Sequence, residues 1–236
     1  MRRGWRQIPA ATWFAACAAL PLAAVAEDRP AVIKTGQATD ALTERDLDHS
    51  LWDTAPTTTI RLATAFPGHP SIVGTALTPN AEVKALRTAA GLLVRLEWGD
   101  AEADARLETA RFADGAALQF PRSGKASTAP FMGGGGQTVN IWYWNAARNS
   151  AENLMADGFG TLARLPVQDV RAYGRHADGK WRVVFFRAWR SPEPQAAALP
   201  MASGARRPIA FAVWNGRNQE RDGFKAVTLA WQILQF

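Results

Sequence analysis

The sequence predicts an all-β protein, an antiparallel β-sandwich with a few short helices and long loops. Short runs of β-branched, aromatic and aliphatic residues recur along the chain, and turn pairs such as Gly99-Asp100, Asp178-Gly179 and Asn215-Gly216 lie near several of their ends. The length of 236 residues suits one large β domain, and the apolar content is ample for its core. Repeated short strands of this kind are typical of sandwiches rather than of β-α-β units.

Seven segments have the composition of strands: Thr57–Ala63, Leu92–Trp98, Ala105–Phe112, Val139–Trp144, Trp181–Trp189, Ile209–Trp214 and Lys225–Leu234. Residues 27–50 are polar and predict an irregular, extended arm. Residues 81–90 fit a helix or a strand. Ser150–Met155 is predicted to be a short helix, capped by Asn149 or Ser150. The proline-rich residues 190–208 predict a long loop, of a length that is often used for binding or for an interface.

Residues 1–26 have the pattern of a secretion signal. Arg2, Arg3 and Arg6 precede an apolar run, and Ala24-Val25-Ala26 supplies the small residues of a cleavage site. Pro9 and Pro21 interrupt the run, which disfavours a retained membrane helix. We therefore expect export to the periplasm with cleavage near Ala26, a mature domain of residues 27–236, and no membrane span after cleavage. The sequence does not decide between simple and twin-arginine export.

Charge and cysteine content exclude several classes of function. The net charge of the whole chain is +6, and three of these charges belong to the arginines of the signal, so the mature chain carries about +3. A charge so small and so scattered does not predict nucleic-acid binding. The only cysteine, Cys17, lies in the signal. The mature chain therefore has no thiolate for a disulfide, an iron–sulfur cluster or a covalent c-type haem.

No motif predicts catalysis by this chain alone. A G-x-S-x-G motif is absent, and the three histidines lie in polar or Gly/Pro-containing segments without zinc-ligand spacing. The glycine run 133–136 lacks the Lys-Ser/Thr pair and the following helix of a phosphate-binding loop. It predicts instead a tight turn in which the backbone approaches a flat or bulky group.

Two residues could bind a metal. In a continuous strand over 225–234, Lys225 would share a face with Val227, Leu229, Trp231 and Ile233. A buried lysine loses its proton more easily and then becomes a Lewis base, although a lysine at a strand start usually reaches solvent. Met132 could be a thioether ligand in a glycine-rich loop, or a core residue that fills a gap.

Two segments resemble the haem-binding γ subunits of type II DMSO-reductase-family molybdoenzymes, the group that includes ethylbenzene dehydrogenase, dimethylsulfide dehydrogenase and the selenate and chlorate reductases. Pro130–Trp142 (PFMGGGGQTVNIW) is similar to the haem loop of these subunits, and Phe211–Lys225 (FAVWNGRNQERDGFK) to their second ligand segment. Weaker similarity covers Leu47–Trp52 and Leu93–Trp98. The uniform glycine run after Met132 is less varied than expected for the family.

The resemblance implies one non-covalent b-type haem in a β-sandwich, with Met132 and Lys225 as the axial metal ligands. Phe131, Gly133, Trp142 and Trp231 are then candidates to surround the macrocycle, although core packing explains the aromatic residues equally well. It also implies a heterotrimer with a molybdopterin catalytic subunit and an Fe–S subunit. In it this chain would be a non-catalytic relay to a soluble cytochrome c or a similar partner. The substrate, the direction of electron flow and the haem potential are not readable from this chain.

Two alternatives remain. A carbohydrate-binding module on a similar sandwich would use the ten tryptophans for stacking on sugars. A free-standing haem sensor or carrier would keep the cofactor without the partner subunits.

Overall fold

The computed structural model describes residues 29–70, 72–106 and 108–236, so the predicted signal at 1–26 lies outside the described residues. Within these ranges the chain is almost entirely β. The strands are β1 Val32–Gln37, β2 Thr58–Arg61, β3 Ala63–Thr64, β4 Asn80–Arg87, β5 Gly91–Gly99, β6 Gly115–Pro121, β7 Val139–Asn145, β8 Ser150–Ala156, β9 Ala163–Arg164, β10 Arg171–Ala177, β11 Lys180–Ala188, β12 Arg206–Trp214, β13 Ala226–Val227 and β14 Gln232–Gln235. Two short 3₁₀ helices span Ser50–Thr54 and Gly216–Asn218. The predicted all-β class is confirmed.

The strands form one curled sheet in the order β10-β11-β5-β4-β1-β14-β12-β6-β7-β8-β9. Most neighbours are antiparallel, but β1 pairs in parallel with both β4 and β14, so the sheet is mixed. Asn149 links the two ends of the curl, because its side-chain amide donates to the Gly174 carbonyl at 3.0 Å and accepts from the Gly174 N–H at 2.8 Å. The curl thus gives two facing layers with a core between them.

Alternation along the strands creates three apolar clusters. The central cluster lies between the layers and includes Trp98, Trp144 and Trp181. A second cluster forms where residues 38–55 cover the outer face of the layer that contains β4, β5 and β11. A third lies on the outer face of the other layer, around Ile141 of β7 and Ala210 of β12. This third face carries the candidate site.

Several local predictions differ from the structure. Ser150–Met155 is strand β8 rather than a helix, since it pairs along its length with β7. The predicted arm at 27–50 contains β1, which lies in the middle of the sheet. The described part of 105–112 is no strand but a turn bridged by Glu108 and Arg111. Propensity cannot supply these pairings, because strand partners come from distant parts of the chain.

The C-terminal strand is also interrupted. β13 pairs with β12 and β3, and β14 pairs with β12 and β1. Leu229 lies between them and is 55% exposed, so the predicted apolar face over 225–234 is not continuous. The ambiguous segment 81–90 is mainly strand β4, and the proline-rich segment is irregular until β12 begins at Arg206.

Buried carboxylates fasten the segment after β12 to the sandwich. Asp114 accepts from the Gly216 N–H at 2.8 Å and from the Trp181 indole N–H at 2.8 Å. Asp100 accepts from the Asn215 side chain at 3.0 Å. Burial raises the pKa of Asp114 to about 6, and these donors only partly oppose the shift. The carboxylates therefore fix the start of the segment that leads to Lys225.

This raised pKa predicts a pH-dependent stability. The folded-state pKa of Asp114 lies above its unfolded value of 3.8, so its stabilising contribution is complete below the unfolded pKa and is lost as pH rises through about 6. The unfolding free energy of the wild type, relative to that of Asp114→Asn, should fall by about 3 kcal/mol over this interval. Urea unfolding of both proteins across the interval measures it. A difference that does not change with pH would contradict the assignment.

Candidate functional site

A cavity of about 610 Å³ lies on the outer face of the layer formed by β6, β7, β8 and β12. This volume falls within the range of about 300–1,000 Å³ that is typical of ligand sites. Its lining is mainly apolar and comes from the strands and the loops between them: Ala65, Phe66, Phe112, Ala113, Ala117, Gln119, Pro130, Phe131, Met132, Ile141, Tyr143, Asn145, Leu154, Phe159, Gly160, Leu162, Ala210, Phe211, Ala212, Trp214, Glu220, Arg221, Asp222, Gly223, Lys225, Val227 and Thr228. Met132 and Lys225 are therefore brought to the same cavity.

Met132 reaches the cavity from the loop between β6 and β7. The Gln119 amide donates to the Pro130 carbonyl at 2.8 Å, and the Gly158 N–H donates to the Met132 carbonyl at 2.7 Å. Met132 has a φ of +64°, a region that residues with a β-carbon seldom occupy. An uncommon backbone conformation held by surrounding contacts is a feature of functional sites.

The glycine run allows this loop to turn back on itself. All four glycines from 133 to 136 have positive φ values. At Gly133 an added Cβ would lie 2.4 Å from the Gln137 carbonyl oxygen, whereas at Gly135 it would meet nothing within 4 Å. The Asp157 carboxylate accepts from the Gly136 N–H at 3.0 Å and ties the tip to the chain after β8. Gly133 therefore shapes the loop next to Met132 but does not line the cavity.

Lys225 immediately precedes β13 and is only 9% exposed. Its Nζ donates to the Asp222 carbonyl at 3.2 Å and lies 4.9 Å from the centroid of the Trp214 ring. The Ala65 N–H donates to the Lys225 carbonyl at 3.0 Å, which fixes the backbone beside β3. The amine is thus held at an apolar cavity wall with one carbonyl acceptor and one aromatic face.

Burial lowers the pKa of Lys225 to about 8, and the charge of Asp222 opposes the shift only in part. At neutral pH a modest free energy therefore suffices to remove the proton. The neutral amine keeps N–H groups to donate to the Asp222 carbonyl, while its lone pair becomes available to a metal ion. Within the described residues, no group of three or more His, Cys, Asp and Glu side chains could hold a metal ion.

The remaining predicted residues take different positions. Phe131 lines the cavity and contacts Phe66 edge-on, with 4.8 Å between ring centroids. Trp142 points into the central core, because its neighbours on β7, Ile141 and Tyr143, face the cavity. Trp231 lies behind the lining, and its indole N–H donates to the Thr128 carbonyl at 2.6 Å. Trp231 therefore supports the Met132 loop from the side.

Sequence reasoning missed part of the lining. Tyr143 and Trp214 meet edge-on at 5.4 Å between centroids, and burial raises the pKa of the Tyr143 hydroxyl. Phe159 and Leu162, both more than half exposed, come from the loop between β8 and β9. The alternation of β7 indicates only that Tyr143 faces away from Trp142, and no signal in the sequence brings the β8–β9 loop to this face.

Comparisons with known proteins are consistent with this arrangement. The family model described as "Ethylbenzene dehydrogenase" matches residues 49–165 and 161–226, a span that contains Met132 and Lys225. The chain belongs to the ethylbenzene dehydrogenase family. The resemblance to γ subunits is confirmed by two relatives. The chain is 46% identical over 189 residues to the chlorate reductase subunit gamma of Ideonella dechloratans. These residues cover 79% of this chain and 77% of the relative. The chain is also 32% identical over an alignment of 252 positions to the dimethylsulfide dehydrogenase subunit gamma of Rhodovulum sulfidophilum. This alignment covers 97% of this chain and 94% of the relative.

A third relative is named a putative respiratory nitrate reductase heme subunit and comes from Haloferax mediterranei. This family relative is 33% identical over 186 residues, which cover 78% of this chain and 66% of the relative. Among solved structures, a family 9 carbohydrate-binding module from Caldicellulosiruptor kristjanssonii in complex with glucose has a TM-score of 0.53 at 10% identity, over 86% of this chain and 94% of that one. At that identity the likeness concerns the fold alone. In the described part of this chain, no helix is long and apolar enough to cross a membrane.

The glycine geometry gives a matched pair of variants. Gly133→Ala should lower the unfolding free energy by about 2–4 kcal/mol, because its Cβ collides with the Gln137 carbonyl at a positive φ. Gly135→Ala, also at positive φ but in open space, should cost only about 1 kcal/mol. Chemical unfolding of both variants measures the difference. Equal losses would show that this loop is not as tightly folded as the structure has it.

Proposed function

We propose that this chain is the haem-binding subunit of a molybdenum oxidoreductase, with one non-covalent haem b held between Met132 and Lys225. The observation that carries the proposal is that a buried amine and a thioether line one apolar cavity, although 93 positions separate them in the sequence. A haem bound there would supply a one-electron Fe(III)/Fe(II) couple. The chain's own residues would bind it, exclude water and set its potential.

The cavity fits a macrocycle of this kind. Porphyrin is flat and largely apolar, and aliphatic and aromatic side chains such as Phe131, Ile141 and Leu154 provide a matching surface. The chain of residues 27–236 contains no cysteine, so a c-type covalent attachment is not available to it. A non-covalent b-type haem is therefore the form that this lining suits.

The buried state of Lys225 reduces the cost of using its amine as a ligand. Deprotonating a lysine with the ordinary pKa of 10.5 at pH 7 costs about 5 kcal/mol. With the pKa lowered to about 8, the same step costs only about 1 kcal/mol. Deprotonation therefore reduces the net free energy of iron binding less at Lys225 than it would at an exposed lysine.

Met132 supplies a ligand of different character. A thioether is soft and favours ferrous iron, whereas an amine is a harder σ-donor, so the pair favours a six-coordinate haem of fairly high potential. If Met132 and Lys225 both held the iron, they would leave it no open position for substrate or oxygen. This chain is therefore proposed to relay electrons and not to catalyse a reaction.

The proposed partners follow from the family. The relatives are named as gamma subunits of chlorate reductase and dimethylsulfide dehydrogenase, and one as a heme subunit. We place the chain in the periplasm, in a heterotrimer with a molybdopterin catalytic subunit and an Fe–S subunit. There it would pass electrons between the Fe–S subunit and a soluble cytochrome c. Co-purification of the three subunits from a periplasmic extract tests the assembly.

The carbohydrate-binding alternative loses its main support in the structure. Sugar stacking requires exposed aromatic platforms, but none of the eight tryptophans in the described ranges is exposed. Six are buried, namely Trp52, Trp98, Trp142, Trp144, Trp181 and Trp231. Trp189 and Trp214 are half-buried, and the Trp214 ring faces the Lys225 amine.

Ligand variants test the haem proposal directly. Protein purified from a haem-competent periplasm should give low-spin absorption bands and a b-type pyridine haemochrome. Met132→Ala and Lys225→Ala should each give a high-spin or haem-poor protein, because one axial ligand is missing. Met201→Ala and Lys180→Ala are matched controls. Met201 and Lys180 are exposed and do not line the cavity, so their variants should retain the wild-type spectrum.

The haem proposal fails if the wild type is colourless under these conditions. It also fails if both ligand variants keep the low-spin spectrum, since the iron would then be bound elsewhere. A glycan-binding assay on the same preparation distinguishes the carbohydrate-binding alternative.

A further inference from the structure

Haem b carries two propionate groups, and neither Met132 nor Lys225 would bind them if both bind the iron. This inference rests on the proposed function, and it concerns the edge of the macrocycle rather than the iron. Each propionate is a carboxylate and requires water or a cationic partner when it is bound. The cavity must therefore place each propionate either in solvent or beside a positively charged part of its lining.

Arg221 provides that charge. Among the described lining residues, only Lys225 and Arg221 are cationic, and the proposed function commits Lys225 to the iron. Arg221 lies in a tight turn that is closed by a hydrogen bond of 2.8 Å from the Phe224 N–H to the Arg221 carbonyl. The turn is part of the exposed rim, so a propionate near Arg221 would also reach solvent.

The guanidinium of Arg221 is oriented but not neutralised. Its central carbon lies 4.6 Å from the centroid of the Phe112 ring, and its Nη1 donates to the Gln219 carbonyl at 3.3 Å. It forms no ion pair with a carboxylate in the described part of the chain. Phe112 also lines the cavity, so the stacked guanidinium is positioned at the cavity wall with further N–H groups available.

The neighbouring acids do not take up this charge. Both carboxylate oxygens of Glu220 accept hydrogen bonds, one from the Leu77 N–H at 2.9 Å and the other from the Asn215 N–H at 3.1 Å. Burial raises the pKa of Glu220, and hydrogen bonds from Asn218, Leu77 and Asn215 oppose this shift. The Asp222 side chain is exposed to water, and only its backbone carbonyl accepts from Lys225.

We infer that Arg221 binds a haem propionate at the cavity rim and thereby determines which edge of the macrocycle faces the segment 220–223. The chemistry is the planar, charge-assisted pairing of a guanidinium with a carboxylate. Phe66, Phe159 and Leu162 provide the apolar, exposed part of the lining and suit the uncharged edges. Arg221 thus gives a mainly apolar cavity an orientation preference.

The test compares two ligands and two variants. The full-length apoprotein is titrated with iron protoporphyrin IX and with its dimethyl ester, in which both propionates are uncharged, and the Soret band reports binding. Arg221→Gln should weaken binding of the free acid about three- to tenfold and leave binding of the diester unchanged. Arg221→Lys should restore only part of the affinity for the free acid, because it returns the positive charge but not the planar guanidinium. Arg217→Gln is the control, because Arg217 lies in the same segment, pairs with Glu102 and does not line the cavity.

The outcomes separate this inference from the proposed function. If the wild type binds neither ligand, the haem proposal itself fails. If the wild type binds haem but Arg221→Gln changes the affinities for free acid and diester by the same factor, Arg221 does not contact a propionate. A thermal unfolding curve for each variant excludes a general loss of structure as the cause of weaker binding.

Discussion

The burial of the Lys225 amine against an apolar wall is the constraint on which this site depends. A charged ammonium is costly in such surroundings, and one carbonyl and one aromatic face compensate for only part of the lost hydration. The amine is consequently easier to deprotonate than an exposed lysine. The buried contacts of the segment after β12 maintain this arrangement, because Asp114 and Asp100 hold its beginning and β13 holds its end. The fold thus holds the Lys225 amine in apolar surroundings, which an unconstrained lysine side chain would leave for solvent.

The second requirement is that distant segments converge on one face. Strand alternation makes the outer face of β6, β7 and β12 apolar without filling it, because its residues include the small side chains of Ala117, Ala210 and Ala212. Bulky residues such as Trp142 point the other way, into the core between the layers. The small residues on the outer face leave room for a flat ligand outside the core. The Met132 loop then covers this space, and Lys225 borders the same space from a distant part of the sequence.

The sequence predicted the all-β class and the long strands β5, β7, β11 and β12, because their apolar and β-branched composition is local information. It did not predict β6 or β10. It also indicated Met132, Phe131 and Lys225, but through family resemblance, since the supposed strand over 225–234 is broken at Leu229. The sequence did not predict which strands pair with one another or which side of each strand faces the cavity. Residues 32–37 belong to a segment, 27–50, that is polar overall, yet they lie centrally because β4 and β14 are their neighbours. Trp142 and Tyr143 are adjacent, and only the tertiary structure decides which of them faces the cavity.

The most direct measurement is the crystal structure of the purified, coloured protein with anomalous scattering recorded at the iron K edge. The account predicts a single iron peak in the cavity, bonded on one side by Met132 Sδ and on the other by Lys225 Nζ. An iron peak bonded by any other pair of side chains, or a cavity filled by a ligand without iron, would contradict it.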